Sequence, residues 1–339
     1  MPDFIRTQRD GRVVTLTLDR PAMRNAIGSH ADCAQIVDAV ERAAADPGVA
    51  AIVLTGAGSA FCAGGDLDAM RERRGIGPLD SPLATRNNYQ AGVQRIPLAL
   101  WQCEVPTIAA INGAAIGVGL DLALMCDVRI AAAGAKLAAS FIKVGIVPGD
   151  GGAWFLPRAV GWSKAAEMMF TGDPVSAEEG LACGLVSRVV PGEQVLAEAH
   201  ALAQRIAANP PQTLRLVKRL LREAQHARLP DVLQLSAAFQ ALAHETADHR
   251  EALACGLVSR VVPADGLMDE ARALAERIAA NPPQTLRLVK RLLREAQHAR
   301  LSEVLELSAA FQALAHETDD HREALAAFFD KRTPHFQGL

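Results

Sequence analysis

Residues 108–131 have the sequence IAAINGAAIGVGLDLALMCDVRIA. Their hydrophobic pattern predicts a short strand at 107–111, which ends at Asn112-Gly113, and another strand at 128–131. Between the strands, a glycine-rich turn runs to Asp121 and leads into a helix. Because glycine lets a backbone approach a ligand closely, we expect this turn to present free N–H groups at the positive end of the helix.

A second glycine turn occurs earlier in the chain. Residues 61–67, FCAGGDL, follow a predicted apolar strand at 50–54 and also lead into a helix. Two N–H groups that converge on one point form an oxyanion hole. Neither turn has the GxGxxG pattern of dinucleotide-binding folds or the GxxxxGK[ST] pattern of phosphate loops. A strand at 12–18 and a helix capped by Ser29 complete an alternation that predicts α/β structure for the first 180 residues.

The composition excludes several classes of function. Of 339 residues, 50% are hydrophobic and 22% charged, with a net charge of −3 and only 4% aromatic residues. No nucleic-acid partner is therefore expected. The longest apolar run, from Val105 to Val128, contains Asn112 and Asp121, which argues against a membrane span. Six cysteines without a CxxC pair predict free thiols and a cytoplasmic protein, and the histidine spacing predicts no metal site.

The C-terminal half contains an internal repeat. Residues 183–254 and 255–326 both begin CGLVSRVVP, and 60 of the 72 aligned positions carry the same residue. Two copies are too few for a solenoid, so we interpret the repeat as a tandem duplication of one segment. Without one copy, the underlying design has 267 residues. The predicted division is therefore a core at 1–182, a first copy at 183–254, and a second copy with a terminal helix at 255–339.

Six stretches taken together resemble the crotonase, or enoyl-CoA hydratase/isomerase, superfamily. They are LDRPAMRNAI (18–27), VLTGAGSAFCAGGDLDAM (53–70), IAAINGAAIGVGLDLALMCDVRIA (108–131), VGIVPGDGGAWFLPRAVG (144–161), TGDPVSAEEGLACGLVSRVV (171–190) and AFFDKRTPHFQG (327–338). The resemblance implies an α/β spiral of ββα units with two sheets and a C-terminal helical region, here partly duplicated. It also implies an acyl-CoA substrate with no separate cofactor, and assembly into a homotrimer or a dimer of trimers.

The resemblance also assigns residues to the substrate. The thioester carbonyl would lie between the N–H groups of Gly65 and Val118, where charge develops when an enolate forms. Adenine would lie against Ala63, Asp66 and Leu67 of the first turn. Arg24 would meet a CoA phosphate unless it is only a solvated surface residue. The other implied substrate contacts are Ala26, Gly117, Phe141, Phe328 and Lys331.

The resemblance leaves the identity of the proton-transferring acid open. Asp121 corresponds to the first glutamate of familiar hydratases, and burial among apolar residues is expected to raise its pKa. Phe141 takes the place of the second glutamate, which argues against simple hydratase activity. Asp150 is the nearest substitute, although it could equally be a turn residue. The sequence thus predicts an enoyl-CoA hydratase or isomerase, with a single-acid isomerase or a catalytically impaired CoA-binding scaffold as alternatives.

The two copies are not equivalent in sequence around their ends. Only the second copy leads into the terminal helix with Phe328 and Lys331, so we expect only that copy to complete the acyl pocket. The first copy either takes the usual place beside the core or becomes a spacer, and the two copies could also compete and allow exchange between subunits. Asn209 is predicted to cap the helix that begins at Pro210-Pro211.

Overall fold

The first two strands form a hairpin around Gly11. Strands β1 (Ile5–Asp10) and β2 (Val13–Leu18) pair antiparallel in a computed structural model that describes residues 3–245, 276–296 and 299–338. The sequence pattern predicted only β2, because every residue of β1 after Ile5 is exposed. A strand that buries so little gives almost no hydrophobic signal.

The chain continues into two sheets. The larger sheet has the order β1-β2-β3-β5-β7-β10, and its strands from β2 onward are parallel. The smaller sheet has the order β4-β6-β8-β9, with β9 antiparallel to β8. The remaining strands are β3 (Ala51–Gly56), β4 (Ala60–Cys62), β5 (Thr107–Ile111), β6 (Ala114–Ile116), β7 (Val128–Ala132), β8 (Lys136–Ala138), β9 (Val175–Ser176) and β10 (Arg188–Val190).

Three successive turns of the chain each give one strand to each sheet and then a helix. The pairs are β3 with β4, β5 with β6, and β7 with β8. The helices of this region are α1 (His30–Ala45), α2 (Leu67–Arg71), α3 (Pro82–Ala91), α4 (Arg95–Gln102), α5 (Val118–Leu124), α6 (Gly152–Thr171, with Gly161 in a non-helical conformation) and α7 (Ala177–Ala182). Short 3₁₀ helices occur at Pro21–Met23, Ser140–Val144 and Gly192–Gln194. This arrangement confirms the predicted spiral of ββα units.

The two copies of the repeat supply different parts of the fold. The first copy gives β10, α8 (Val195–Ala207), α9 (Pro211–Ala224) and α10 (Leu229–Glu245). The second gives α11 (Pro283–Glu295), α12 (Leu301–His316) and α13 (Asp319–Asp330). Helix α8 covers one face of the larger sheet, whereas α11 and α12 join the main core on the other side of that sheet, packing against α6 and α3.

Helices α9 and α11 share one sequence, PQTLRLVKRLLRE, yet they dock through different faces. In α9, Arg215, Lys218 and Arg222 reach backbone carbonyls around the start of the sheet, and no residue of the helix is buried. These positions are three and four apart and therefore lie on one face. In α11, the buried residues are Thr285, Val289, Leu292 and Leu293, so this copy uses its apolar face.

Asn209 does not cap α9 as the sequence predicted. Its amide donates to the carbonyls of Arg205 and Ile206, so it closes the C-terminus of α8, and Pro210 occupies the position before α9. A short polar side chain can cap either end of a helix. Because the two prolines start α9 only a few residues after the end of α8, the sequence does not show which of the two helix ends Asn209 caps. Among the described residues, no helix combines the length and the apolar character needed to cross a membrane.

Candidate active site

A cavity of about 390 Å³ lies where both glycine turns meet the second copy of the repeat. The predicted residues on its wall come from the turns, from the 3₁₀ segment before α6 and from α13: Ala63, Gly65, Asp66, Leu67, Gly117, Val118, Phe141, Asp150 and Phe328. None of the described residues of the first copy lines it. The wall is mostly apolar with a few polar groups, as is usual for a small-molecule site.

The first glycine turn leaves one N–H group outside the sheet pairing. Residue 65 forms an isolated parallel bridge with Ile27, through the carbonyl of Gly64 and the N–H of Asp66. The N–H of Gly65 takes no part in that bridge, and nothing lies within 4 Å of the place a side chain would occupy there. Gly64 itself has φ +106 and lies against the carbonyl of Ile116, so the two turns touch.

The second turn presents another N–H group from a helix start. Gly117 has φ +54 and donates its N–H to the carbonyl of Ala138. Val118 is the first residue of α5, so its N–H has no acceptor within the helix. Both Gly65 and Val118 line the same cavity.

A buried asparagine holds the first turn in place, and sequence reasoning missed it. Asn25 is fully buried, and its side-chain amide donates to the carbonyls of Ala57, Ala60 and Phe61. Its own backbone has φ +59, a conformation that asparagine tolerates better than most residues. Asn25 lies between an arginine and an alanine at the end of RPAMRNA, where no hydrophobic pattern marks it as buried. The only signal that could have identified it is the tendency of asparagine to adopt a left-handed backbone conformation.

Two carboxyl groups meet beside the cavity. Asp121 is 0% exposed and Asp150 2% exposed, and each carboxyl shifts the pKa of the other. No other side chain among the described residues bonds to any of their four oxygens. Burial raises the pKa of both groups, and the charge of Asp150 raises that of Asp121 further. Two adjacent buried carboxylates cannot both ionise cheaply, so this environment favours a singly charged pair.

The two aspartates have different access to the cavity. Asp150 is part of the cavity wall, whereas Asp121 does not line it and lies against Gly152, at the start of α6. A Cβ atom on Gly152 would stand 2.1 Å from a carboxyl oxygen of Asp121. Glycine at 152 is therefore required by this approach, which explains part of the PGDGG sequence.

The remaining predicted contacts are more peripheral. Asp66 accepts a hydrogen bond from the N–H of Ala69 and so caps α2, besides lining the cavity. Arg24 is exposed, and its carbonyl accepts from the N–H of Ala63. Ala26 and Lys331 do not line the cavity; Lys331 is exposed at the end of α13 with φ +54.

The second copy adds a chain of polar side chains to one wall. Gln312 donates to the Tyr89 hydroxyl at 2.6 Å, and His316 lies 3.3 Å from the same hydroxyl. His316 in turn contacts His321 at 2.9 Å. Burial lowers the pKa of His316 well below its usual value and that of His321 to about 4, so both rings are neutral at physiological pH. Three or more potential metal ligands are nowhere grouped together within the described ranges.

Comparison with known proteins places this fold and site in one family. The family model for enoyl-CoA hydratase/isomerase matches residues 8–251 and again 237–339. A 1,2-epoxyphenylacetyl-CoA isomerase of Escherichia coli K12 is 36% identical over 263 residues, 77% of this chain and 97% of that protein. A 2,3-dehydroadipyl-CoA hydratase of the same organism is 36% identical over 252 residues, covering 74% of this chain and 94% of that protein.

Solved structures agree. A Thermobifida fusca YX protein described as an enoyl-CoA hydratase, solved in complex with CoA, superposes with a TM-score of 0.66 at 29% identity and covers 72% of this chain and 93% of that one. The enoyl-CoA hydratase of Bacillus anthracis superposes with a TM-score of 0.63 at 27% identity, covering 99% and 100%. The chain belongs to the enoyl-CoA hydratase/isomerase family. It is therefore an enzyme of the hydratase or isomerase type.

Proposed function

We propose that this protein isomerises an enoyl-CoA or a related acyl-CoA thioester through an enolate. The supporting observation is the buried Asp121–Asp150 pair, in which burial raises the pKa of both groups and Asp150 lies on the wall of the cavity. The N–H groups of Gly65 and Val118 would bind the thioester oxygen as it becomes negative. Asp150 would then remove a proton from one carbon and return it to another, with Asp121 holding the shared proton.

Isomerisation fits this wall better than hydration. A hydratase has to activate a water molecule and deliver a proton to the neighbouring carbon. Here Phe141 lines the cavity where a second carboxylate is expected from the hydratase pattern, and Asp121 does not reach the wall. Asp66, the other acidic residue on the wall, is engaged in capping α2. A single carboxyl at the reacting carbons suits proton transfer from one position to another.

The remaining contacts would bind the CoA part of the substrate. We propose that adenine lies against Ala63, Asp66 and Leu67, and that Arg24 and Lys331 meet phosphates. Both cations are exposed; Arg24 is bonded through its carbonyl to Ala63 of the first turn, and Lys331 ends α13, whose Phe328 lines the cavity. Ala26, Gly117 and Phe328 complete the proposed contacts. The CoA complex of the Thermobifida fusca relative supports a CoA thioester as the substrate class.

The function is tested with two substrates and one variant. We expect turnover of a 3-enoyl-CoA into the conjugated 2-enoyl thioester, followed by its absorbance, and little loss of conjugated absorbance from crotonyl-CoA. Asp150→Asn should lower kcat about 1,000-fold, because one general acid–base is removed, with KM changed less than about threefold. The exposed Asp68→Asn serves as the control. Rapid hydration of crotonyl-CoA would favour the hydratase instead, and CoA binding without either reaction would favour a scaffold.

We also propose that the chain forms a homotrimer or a dimer of trimers, as its family resemblance implies. What supports association is the apolar face of α9 and α10, where Val217, Leu221, Leu229 and Leu233 are between 50% and 70% exposed. The double variant Leu221→Lys with Leu233→Lys should reduce the mass measured by light scattering, whereas Leu83→Lys on α3 should not. A single-subunit mass for the unmodified protein would rule out the proposed assembly.

A further inference from the structure

The segment that leads to Asp150 is held by side chains rather than by secondary structure. Residues 145–149 belong to no helix or strand. Four of the backbone groups around this segment nevertheless have side-chain partners. The carbonyl of Val144 accepts from His321 at 2.6 Å, and that of Gly145 accepts from Thr285 at 3.2 Å. The N–H of Val147 donates to Gln312 at 2.8 Å, and the carbonyl of Gly149 accepts from Gln94 at 2.7 Å.

Three of these four partners belong to the second copy of the repeat. Thr285 lies on α11, Gln312 on α12 and His321 on α13, and each is at most 3% exposed. The fourth partner, Gln94, also donates to the carbonyl of Leu305 on α12, so it too connects the segment to the second copy. Buried polar groups of this kind have no water to replace a lost partner, so removing one should shift the backbone it holds.

The hydrogen-bond directions in this network are fixed from one end. A carbonyl oxygen only accepts, so His321 must carry its proton on Nδ1, which faces Val144, and must accept at Nε2. His316 then donates from Nδ1 to His321 and accepts at Nε2 from the Tyr89 hydroxyl. Gln312 donates its amide to the Tyr89 oxygen, and this orientation leaves its carbonyl oxygen for Val147. Each neutral group therefore makes a definite contribution to the position of the segment.

We propose that Thr285, Gln312 and His321 are positioning residues that set the place of Asp150 in the cavity wall. This inference rests on the proposed role of Asp150 in proton transfer. The second copy thus does more than cover the acyl pocket, because its three helices align the acid through the backbone of 144–149. Proton transfer is sensitive to small displacements of the acid, so a loosened segment should slow the reaction more than it weakens CoA binding.

The duplication provides matched controls for two of the three residues. Thr213 on α9 and Gln240 on α10 occupy the positions of Thr285 and Gln312 in the first copy, within the same local sequence. Neither is among the side chains that hold residues 144–149. The equivalent of His321 is His249, which lies outside the described residues.

The test compares Thr285→Val and Gln312→Leu with Thr213→Val and Gln240→Leu in the full chain. For the second-copy variants we expect kcat to fall about tenfold or more, KM to change less than about twofold, and the acid limb of the kcat profile to move, because the carboxyl pair is displaced. Among the described residues, the charge of Asp150 also acts on Cys62 and Tyr89, whose pKa values are raised by burial, and both have to be considered when the profile is interpreted. The first-copy variants should match the unmodified protein in all three measurements.

Conservative variants separate positioning from folding. Thr285→Ser keeps the hydroxyl, and His321→Asn keeps a donor at the place of Nδ1, so both should recover most of the lost kcat, whereas His321→Leu should not. Recovery by the conservative variants supports positioning even where Thr285→Val or Gln312→Leu is poorly folded. Unchanged kcat and pH profile in the second-copy variants, or equal losses in both copies, would overturn the inference. If Asp150→Asn itself is fully active, the failure lies instead in the proposed function.

Discussion

Asp121 occupies a place where a negative charge is costly. It is completely buried, no side-chain donor among the described residues bonds to its oxygens, and Asp150 is its nearest charged neighbour. A carboxyl group in such a place prefers its protonated form, which favours a singly charged pair. The same burial that costs folding energy prepares the site for acid–base work.

This cost predicts a pH dependence of stability. The pKa of Asp121 is raised in the folded chain, so between its unfolded value of about 3.9 and its folded value the native state binds more protons, and stability falls as pH rises. The Asp121→Asn substitution removes this loss of stability at higher pH. We expect the variant to exceed the unmodified protein in Tm by more at pH 8 than at pH 5, although its turnover is much reduced while CoA binding is largely kept.

Circular dichroism melting at the two pH values checks this expectation. The exposed Asp68→Asn should leave the difference between the two pH values as it is in the unmodified protein. A Tm gain for Asp121→Asn that is equal at both pH values would contradict a raised pKa for this carboxyl.

Gly152 supplies a second prediction for single residues. An alanine there would place its Cβ 2.1 Å from a carboxyl oxygen of Asp121 and displace the pair. We expect Gly152→Ala to lower kcat about 100-fold, since a misplacement of about 1 Å costs that much. Gly134→Ala is the matched control, because nothing lies within 4 Å of its added Cβ. Steady-state kinetics of both variants is the measurement, and similar kcat values for the two would refute the steric account.

Residues that act through local geometry could be predicted from the sequence, and residues that act over long distances could not. The glycine turns and the burial of Asp121 follow from motifs within one segment. The amide of Asn25 bonds to carbonyls at least 32 residues away, and Gln312 and His321 bond to a segment more than 160 residues away. Contacts between residues so far apart leave no pattern in the sequence. The paired histidines of the repeat show only that they occur in both copies.

At the scale of elements, α9 and α11 show how the surroundings of a helix determine the way it packs. Their shared sequence removes helix propensity as a variable, so any difference in behaviour comes from the surroundings. Leu293 on α11 is fully buried, whereas its equivalent Leu221 on α9 is 66% exposed.

The matched leucines give a prediction about folding energy. Leu293→Ala should lower the free energy of unfolding by about 2–5 kcal/mol, because it leaves a cavity in the core. Leu221→Ala should change the free energy of unfolding of the dissociated subunit by less than about 0.5 kcal/mol, as is usual for exposed positions. Denaturant titration of the two variants measures both values. Equal losses would mean that α9 is as deeply packed as α11.

The element pattern was predictable where it reflects burial on one face. The helix after Ser29 begins at His30 with the expected cap, and the strand at 107–111 has the predicted bounds. The exposed strand β1 was missed. The sequence also could not predict which copy packs on which side of the sheet, because two helices of identical sequence have identical local patterns.

At the scale of the whole molecule, the two faces of the larger sheet are covered by different helices of the repeat. Helix α8 packs on one face, and α9 follows it after three residues, whereas α11 and α12 pack with the core beyond the other face. A chain without residues 183–254 also lacks α8, and residues 267–279 are then its sequence equivalent. If those residues take the place of α8, the single helical hairpin that follows them begins on that face of the sheet, and we expect it to close the cavity of a neighbouring subunit rather than its own.

Dilution tests this expectation. The specific activity of the 267-residue variant should fall as its concentration is lowered about 100-fold, because its cavity depends on a partner. The full chain closes its cavity with its own α11–α13 and should keep a constant specific activity per subunit. Constant activity of the shortened variant at every dilution would show that a single hairpin suffices within one chain.

The opposite docking of α9 and α11 also has an evolutionary consequence. A helix that must serve two interfaces accepts few substitutions, because each of its sides is under selection. With two copies, only α9 uses the basic side of this sequence, so α11 is free to change there. Future sequence divergence between the copies should therefore concentrate at Arg287, Lys290 and Arg294 in the second copy.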